Sequence, residues 1–489
     1  MSKIEVAIIG SGLGGLLTGY ILAREGMQVE IFEKNDHPGG CMQSYKRNGH
    51  WFDTGLHYIG GAAPGQNLHQ FFRYFGLLPD LPIKPLDPTG FERIRYQGQE
   101  FRWATGFDAF AQELKRNFPK EHSAINKYIA DIQKVCAQFP LYNLEYREEH
   151  NEAAYHGINL HKYLNDLTHN KTLQTVLLGN NLLYAAEKDS TPFYLHALIN
   201  CSFIRGAYRV SGGSRQITDR LLERITHFGG KIHTGTTIKH IDVKGTEARA
   251  ITDNHGNTYE VKQVISAIHP APTLQMIEAP VIRTVYRQRI ETMHNSTSAF
   301  TVYLIFKPDS FPYLNQNYYI LNQDSPWVAN TRHNPEDYFL FLTPHEPGAD
   351  KYASTATILS LMPFESVAQW EEKQDKAYDD FKQEVAERLI RAADRQFPGI
   401  SGKIESYFTA TPLTYKRYLG TPEGTIYGTM RNSQEPLASH VSVRTKIKNL
   451  VFAGQNANIH GVLGTTVSAV LAASQVIDLP YLVNKIKHA

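Results

Sequence analysis

Residues 4–15 read IEVAIIGSGLGG. The β-branched run at the start of this stretch predicts a buried parallel strand, and the glycines after it predict a tight turn. A helical pattern, LLTGYILAREG, follows and ends at Gly26, and a second strand pattern, QVEIFE, ends at Glu33. A strand, a glycine turn, a helix and a strand within about 30 residues, closed by an acid, are typical of a Rossmann-type dinucleotide-binding unit.

Each glycine in this turn has a physical reason. Gly10 permits the tight turn, Gly12 lets the backbone approach a pyrophosphate, and Gly15 lets the helix pack closely on the strand. The N-terminus of the helix offers free N–H groups to the phosphates, and Glu33 is placed to accept hydrogen bonds from a ribose. We therefore expect the cofactor-binding residues of this unit to be Gly10, Gly12, Leu13, Gly14, Gly15, Glu33 and Lys34. NAD and FAD are both compatible with such a unit.

The composition limits the classes of function. A chain of 489 residues is too long for one compact core, which predicts two or three domains. The 50 basic and 48 acidic residues give a formal charge of +2, which argues against a nucleic-acid binder. Cys41, Cys136 and Cys201 lie far apart, so we expect neither a metal site nor a disulfide framework. Low cysteine usage, with no signal-peptide pattern and no apolar run of about 18 residues, predicts a cytoplasmic protein, with or without peripheral membrane contact.

A second motif follows Glu33 and reads HPGGCMQS over 37–44 and FDTG over 52–55. In these residues the chain resembles the flavoprotein superfamily of amine oxidases and carotenoid desaturases, whose members share a Gly-Gly flanked by arginines, then Ser or Thr, then Asp-x-Gly. The resemblance implies that FAD is the cofactor, held in part by Gly39, Gly40, Cys41, Ser44, Asp53 and Gly55. The two flanking arginines are replaced by His37 and Cys41, which leaves phosphate binding to backbone donors and to His37 or Lys46.

The string FDTGLHYIG over 52–60, with a cysteine after the Gly-Gly, narrows this resemblance. It is similar to the retinol saturase (all-trans-retinol 13,14-reductase) and carotenoid isomerase branch of the superfamily. That branch implies chemistry on a carbon–carbon double bond of a lipophilic, conjugated substrate.

Two later segments extend the resemblance to nearly the whole chain. Residues 208–266 predict a helix and then a hairpin that ends in a small-residue turn. The stretch NLVFAGQNANIHGVLGTTVSA, over 449–469, predicts a strand and then a helix whose N-terminus faces the pyrimidine end of a flavin. The resemblance implies cofactor contacts at Ala267, Gly454, Gln455, Asn456, Gly461, Val462 and Gly464. Asn456 stands where family members usually have an aspartate.

The order of the motifs implies an α/β fold whose FAD-binding domain, a parallel sheet with helices, is discontinuous over 1–85, 205–290 and 435–489. Residues 86–204 are predicted to form a helical cap, and residues 291–434 the antiparallel sheet of an α+β substrate domain. A long charged helix is predicted over 366–397. The apolar segment 181–210 has two interpretations, an entry lip that rests on a membrane or a buried helix pair.

His57, Tyr58 and His460 are the candidate catalytic residues, because they follow the Asp-x-Gly or precede the flavin-facing helix. We expect an FAD-dependent oxidoreductase that saturates, desaturates or isomerises a polyene, retinoid or carotenoid-like molecule. Diffusing NAD(P)H, another protein or a quinone could reduce the FAD, and no obligate protein partner is evident. Two alternatives stay open: a flavin amine oxidase, and a non-catalytic prenyl-lipid binding protein of the GDP-dissociation-inhibitor type, against which the intact glycine turn and Glu33 argue.

Overall fold

The computed structural model describes residues 3–148, 152–322, 326–328, 337–346 and 349–489. The strands are β1 (Ile4–Ile9), β2 (Val29–Phe32), β3 (Ser44–Arg47), β4 (His50–Asp53), β5 (Ile59–Gly60), β6 (Ile83–Pro85), β7 (Glu92–Tyr96), β8 (Gln99–Trp103), β9 (Ala207–Val210), β10 (Lys231–His233), β11 (Ile238–Lys244), β12 (Glu247–Asp253), β13 (Thr258–Ser266), β14 (Ser298–Phe306), β15 (Asn317–Leu321), β16 (Tyr338–Glu346), β17 (Ala349–Met362), β18 (Ile404–Ala410) and β19 (Leu450–Phe452). The helices are α1 (Leu13–Arg24), α2 (Asn67–Tyr74), α3 (Phe107–Asn117), α4 (His122–Ala137), α5 (Ala153–His156), α6 (Leu160–Leu167), α7 (Lys171–Leu177), α8 (Phe193–Arg205), α9 (Arg215–His227), α10 (Pro270–Gln275), α11 (Thr284–Glu291), α12 (Lys376–Gln396), α13 (Ile400–Lys403), α14 (Pro412–Leu419), α15 (Gly461–Ala473) and α16 (Leu479–Lys487).

The sheet that contains β1 is the parallel sheet predicted from the first 33 residues. Strands β10, β2, β1, β13 and β19 lie side by side in this order and run parallel. β12 and β11 continue the sheet from β13 in antiparallel orientation. Ile8 lies between Ile31 and Ile265, so the β-branched run of the motif occupies the centre of the sheet. The Rossmann-type fold is confirmed.

A second sheet has the strand order β18, β14, β17, β16, β15, β7, β8, and only its β15–β7 pair is parallel among the described residues. Its strands β14 and β15 are buried on both faces. Along β14, Phe300 and Val302 belong to the core that contains α12, whereas Tyr303 and Ile305 belong to the core shared with the nucleotide-binding part. The sheet therefore has one face against a helix and the other toward the parallel sheet. The predicted antiparallel sheet is confirmed.

The hairpin β7–β8 lies inside the range 86–204, which the sequence pattern assigns to a helical cap, yet it joins the second sheet. Its turn is formed by Gln97 and Gly98, both of which have positive φ angles. Two-residue hairpin turns of this kind are most often marked by Asn-Gly or Asp-Gly, and Gln-Gly is a weaker signal. From residue 107 onward the described residues of this range form the helices α3 to α8 and the turns between them.

The long helix predicted over 366–397 is shorter in the structure, where α12 begins at Lys376. Asp375 is the reason, because its side chain accepts hydrogen bonds from the backbone N–H groups of Ala377 and Tyr378 and so caps the helix. The residues from 364 to 370 form two short 3₁₀ turns instead.

The apolar segment 181–210 is mostly buried. Nine of the 13 residues of α8 are buried, and α8 packs against α4. The structure thus agrees with the interpretation of this segment as buried helical structure rather than as an exposed lip. Among the described residues, no helix is both long and apolar enough to cross a membrane.

Backbone segments approach one another closely where α1 begins. A Cβ atom on Gly15 would lie 2.1 Å from the carbonyl oxygen of Gly10, and a Cβ atom on Gly14 would lie 2.6 Å from the Cα atom of Gly454. A Cβ atom on Gly12, by contrast, would meet no atom within 4 Å. Only glycine fits at the first two positions, because the atoms that block a side chain belong to the backbone.

We expect Gly15→Ala to lower the melting temperature, with a loss of about 1–3 kcal/mol or more, because a rigid backbone atom blocks the added methyl group. Gly12→Ala is the matched control, since its methyl group meets no protein atom. Thermal unfolding of both variants, followed by circular dichroism without added cofactor, tests this. Equal melting temperatures for the two variants would contradict the packing described here.

Candidate active site

The cofactor residues predicted from the sequence lie at the carboxyl ends of β1, β2, β13 and β19. Hydrogen bonds between the turns that follow these strands draw them together. Gly10 donates to the carbonyl of Phe32 (2.8 Å), Ala267 to that of Ile9 (2.9 Å), and Ala453 to that of Ser266 (2.8 Å). Ligands of open α/β sheets bind at this edge.

Glu33 is buried at the end of β2 and is held by three hydrogen bonds. Its carboxylate accepts from the backbone N–H of Ser11 (3.0 Å), from the Ser11 hydroxyl (2.5 Å) and from the backbone N–H of Asn35 (2.9 Å). Glu33 therefore orders the glycine turn itself. The neighbouring Lys34 donates to the carbonyl of Arg417 (2.6 Å), which ties the end of β2 to α14.

The Gly39–Gly40 pair lies directly against the glycine turn. Gly12 and Gly39 form a short parallel bridge, and a Cβ atom on Gly40 would lie 3.0 Å from the Cα atom of Gly12. The first turn of α1 has neither a side-chain cap nor an acidic residue. The N–H groups of the first turn therefore face no acidic side chain of the helix itself, which suits a phosphate group.

Ser44 and Asp53 are tied to the start of α9. Asp53 Oδ1 accepts from the hydroxyl of Ser44 (2.6 Å) and from the backbone N–H and hydroxyl of Ser214 (both 2.8 Å). Burial raises the pKa of Asp53 against the opposing effect of these hydrogen bonds. Ser44 and Asp53, both predicted to bind the cofactor, thus link the β3–β4 hairpin to α9 by hydrogen bonds.

The C-terminal group of predicted residues surrounds the start of α15. His460 is the N-cap residue of α15, and the first turn again lacks a side-chain cap and an acidic residue. Gly461 has open space beside it, whereas a Cβ atom on Gly464 would lie 2.5 Å from the carbonyl oxygen of Ile459. Gln455, Asn456 and Val462 complete this group, and Gln455 donates to the carbonyl of Ile426 (3.4 Å).

Asn456 holds a neighbouring segment in place. Its side-chain oxygen accepts from the backbone N–H of Thr429 (2.9 Å). The buried guanidinium of Arg431 donates to the carbonyls of Asn456 and Asn458, and to that of Ser439 (2.7 Å). The sequence did not single out Arg431, because no local pattern marks an arginine that bonds to carbonyls of a distant loop.

His57 and Tyr58 face a wall of aromatic rings. The imidazole of His57 lies 5.6 Å from the ring of Phe339 and 5.4 Å from that of Phe341, and the ring of Tyr58 lies 4.6 Å from that of Phe203. Both nitrogens of His57 are buried and have no hydrogen-bond partner among the described residues. Burial lowers the pKa of His57 to about 4, so it is neutral at pH 7.

His460 lies under a short turn formed by Asn181–Leu183. Its Nε2 atom is 3.1 Å from the carbonyl oxygen of Leu183, and its ring is 4.6 Å from the ring of Tyr427. The hydroxyl of Tyr427 donates to the carbonyl of Leu182 (2.5 Å). Burial lowers the pKa of His460 to about 4, so this imidazole is also neutral at pH 7.

Cys41 lies between Gly55, of the Asp-x-Gly segment, and Tyr427. Gly55 packs on it, since a Cβ atom there would lie 2.9 Å from the Cys41 carbonyl oxygen, and Tyr427 lies near its thiol. Burial raises the pKa of Cys41 to about 11, so it is a neutral thiol rather than a reactive thiolate. The side chains of His37 and Lys46, named as replacements for the family's arginines, are exposed.

The sequence model of the family described as "Flavin containing amine oxidoreductase" matches residues 13–477. The chain belongs to this family. It is 26% identical to all-trans-retinol 13,14-reductase of Homo sapiens, over 97% of this chain and 86% of that protein. It is 23% identical to the chloroplastic prolycopene isomerase of Arabidopsis thaliana, over 97% and 83%. The cyclohexylamine oxidase of Brevibacterium oxydans IH-35A shares the fold, with a TM-score of 0.63, 16% identity, and coverage of 97% of this chain and all (100%) of that one.

As a member of this family the chain is an FAD-dependent oxidoreductase. The residues present fit FAD. Two uncapped helix ends, those of α1 and α15, meet the same edge of the sheet, and the space beside Gly12 and Gly461 is free of protein atoms. The partnerless nitrogens of His57 are a further buried polar group that a bound molecule could satisfy.

We expect Gly12→Val to weaken FAD binding at least tenfold, because the added side chain would project into the space left beside the glycine turn. Gly402→Val is the matched control. A Cβ atom on Gly402 also meets no atom within 4 Å, but Gly402 lies in α13 and not in the glycine turn. Fluorescence titration of the flavin-free variants with FAD measures the change. Wild-type affinity in Gly12→Val would contradict the expected path of the pyrophosphate.

Proposed function

We propose that this oxidoreductase acts on a carbon–carbon double bond of a lipophilic, conjugated molecule, such as a polyene, retinoid or carotenoid-like compound. The reaction is a saturation, desaturation or isomerisation. The observation that carries the proposal is the wall against residues 55–58, which is built from aromatic rings and from titratable groups in their uncharged forms.

The lack of charge in this wall separates the proposed substrate from an amine. His57 and His460 are neutral at pH 7, and Glu92, the carboxyl bonded to Tyr58, has its pKa raised by burial to about 8. A substrate that carries an ammonium group would need a compensating negative charge in such a buried place. An uncharged, flat, conjugated molecule needs none, and it gains contact area against aromatic rings.

The similar proteins support the same substrate class. The names all-trans-retinol 13,14-reductase and prolycopene isomerase describe enzymes of polyenes, and each match extends over 97% of this chain. The segment 52–60, which carries the resemblance to that branch, contains His57 and Tyr58. We therefore place the reacting double bond beside these residues.

The roles proposed for the side chains follow from their protonation. Bound FAD supplies hydride transfer to or from a substrate carbon. The hydroxyl of Tyr58 is the group proposed to give or take the accompanying proton, because it is hydrogen-bonded to Glu92 and Tyr319, through which a proton can be replaced. The imidazoles of His57 and His460 are neutral at pH 7 and have no such partner. His57 and His460 would position the substrate and FAD by hydrogen bonding, and the aromatic wall would exclude water.

The remaining cofactor residues take the roles that their positions suit. Gly10 to Gly15, together with Gly39 and Gly40, would surround the pyrophosphate, and Glu33 would hold the ribose. The start of α15 would face the pyrimidine end of the flavin, where its N–H groups favour negative charge. The sequence contains no separate nicotinamide-binding unit, so NAD(P)H is proposed as a diffusing donor that reduces the FAD directly.

An anaerobic flavin spectrum tests the proposed reaction. We expect the purified protein to be yellow, to be bleached by NADPH or NADH, and to be reoxidised by an added polyene such as a retinoid or carotenoid in detergent micelles. Bleaching by amines, with hydrogen peroxide formed in air, would favour an amine oxidase instead. A colourless protein that takes up no FAD would favour the non-catalytic lipid binder.

We expect Tyr58→Phe to slow substrate-dependent flavin reoxidation by about 10²–10⁴-fold, because it removes the proton donor while keeping the ring. His460→Ala should keep its FAD and lose less activity, since its neutral imidazole has a positioning role. Stopped-flow absorbance, with the FAD content measured for each variant, compares the two. An unchanged rate in Tyr58→Phe would contradict the role of the phenol.

A further inference from the structure

Behind Tyr58 lies a buried polar cluster that contains Glu92 and Tyr319. Tyr58 donates a hydrogen bond to Glu92 Oε1 (2.6 Å), and its oxygen is also 2.6 Å from the hydroxyl of Tyr319. Tyr58 is 5% exposed, and both Glu92 and Tyr319 are 0% exposed. Glu92 begins β7, and it points to the same face of the sheet as Ile94 and Tyr96, which belong to the core around the site.

Glu92 Oε2 is buried without a hydrogen-bond partner among the described residues. Two amide side chains lie close by. That of Asn180 lowers the pKa of the carboxyl by hydrogen bonding, against the larger effect of burial, and that of Asn317 belongs to the residue paired with Glu92 in the sheet. The side-chain oxygens of both asparagines are likewise buried without a donor, and the Nδ2 atom of Asn317 is buried without an acceptor. A proton on Glu92 would let the carboxyl donate to one of these oxygens.

A chain of hydrogen bonds sets the orientation of Asn180. Its Nδ2 atom donates to the side-chain oxygen of Asn200 (2.8 Å), and the Asn200 amide lies 3.1 Å from Nδ1 of His196. The two nitrogens of His196 are bonded to the hydroxyls of Tyr184 (2.7 Å) and Tyr128 (2.8 Å). Asn180 therefore keeps its oxygen as the free acceptor.

The described residues around Glu92 include no cation that would compensate a charge on it. The titratable groups that face it are Tyr58, from the segment before β5, Tyr319, from β15, and Tyr184, after the turn Asn181–Leu183. Among the described residues no lysine, arginine or protonated histidine acts on this carboxyl. An uncompensated charge in such a place is costly, and a carboxyl there favours its neutral form.

We infer that Glu92 is a protonated carboxyl that stores a proton and resupplies it to Tyr58, so that Glu92 is a positioning residue that acts through the phenol. This inference rests on the proposed role of Tyr58. In the saturating direction the Tyr58 O–H bond breaks and its proton forms a C–H bond on the substrate, next to the carbon that would take up the hydride supplied by bound, reduced FAD. The Glu92 O–H bond then breaks, the Tyr58 O–H bond forms again, and the Glu92 carboxylate regains a proton from solvent between turnovers.

The burial that raises the pKa of Glu92 to about 8, from an ordinary value of 4.5, agrees with this role and fixes its pH window. Between these two values the folded protein holds a proton on Glu92 that the unfolded chain has lost. Raising the pH through the window therefore destabilises the wild type. Glu92→Gln has no such proton, so its melting temperature should rise relative to that of the wild type across the same window.

Infrared spectroscopy of the flavin-free protein at neutral pH tests the stored proton without any reaction. We expect a carboxylic acid C=O band that is lost in Glu92→Gln and is kept in the control Glu100→Gln, whose carboxylate pairs with Arg93 and Arg95. Tyr58→Phe should keep the band but shift it, because one hydrogen bond to the carboxyl is gone. If Glu92→Gln does not fold, the shift of the acid band in Tyr58→Phe still tests the stored proton.

The pH profile of substrate-dependent reoxidation tests the resupply. We expect the wild-type rate to fall at least tenfold as the pH rises through about 8, and Glu92→Gln to be slow and without this break. A wild-type spectrum without the acid band, or a band unaffected by Glu92→Gln and Tyr58→Phe, overturns the inference. If the band behaves as expected but no polyene reacts, the stored proton stands and the proposed function fails.

Discussion

The contact between the first turn of α1 and the backbone beneath it is the constraint on which the rest of the structure depends. Gly15 lies against the carbonyl of Gly10, and Gly14 lies against the backbone of Gly454, at distances that leave no room for a side chain. These contacts bring the N-terminus of α1 close to the turn after β19, and α15 packs beside α1. Two helix ends without side-chain caps consequently meet at one edge of the parallel sheet.

The second sheet contributes the aromatic rings and the buried carboxyl on which the proposed chemistry depends. Because β14 and β15 are buried on both faces, alternate residues of these strands belong to different cores, one beneath α12 and one beside the nucleotide-binding part. Phe339, Phe341 and Tyr319 face the second of these cores, and so does the carboxyl of Glu92. Burial lowers the pKa of His57 and raises that of Glu92, and these two shifts support the proposals of an uncharged substrate and of a proton stored on Glu92.

Local patterns predicted the elements whose signals are strong and short in range. The unit from β1 to β2, the hairpin β12–β13 and the helix α15 form where their sequences indicate. The hairpin β7–β8 was missed because Gln97-Gly98 is a weak turn signal, and α12 was predicted too long because the cap at Asp375 outweighs the helical pattern before it. In the candidate site, one signal was available and not used: Glu92 alternates with Ile94 and Tyr96, which places a carboxyl on an apolar face.

The sequence by itself determined the Rossmann-type fold, because glycine turns, strand runs and an acid at a set spacing act within about 30 residues. The motifs over 37–60 and 449–469 then indicated the family and FAD by their resemblance to other flavoproteins. Only the tertiary structure decided the surroundings of each side chain. In the folded chain Asp53 is hydrogen-bonded to Ser44 and Ser214, and Glu33 to the glycine turn. Glu92 is hydrogen-bonded to Tyr58, which is in turn bonded to Tyr319. These partners come from strands and loops far apart in the chain, and a side chain's charge depends on its partners and its burial, which no local pattern contains.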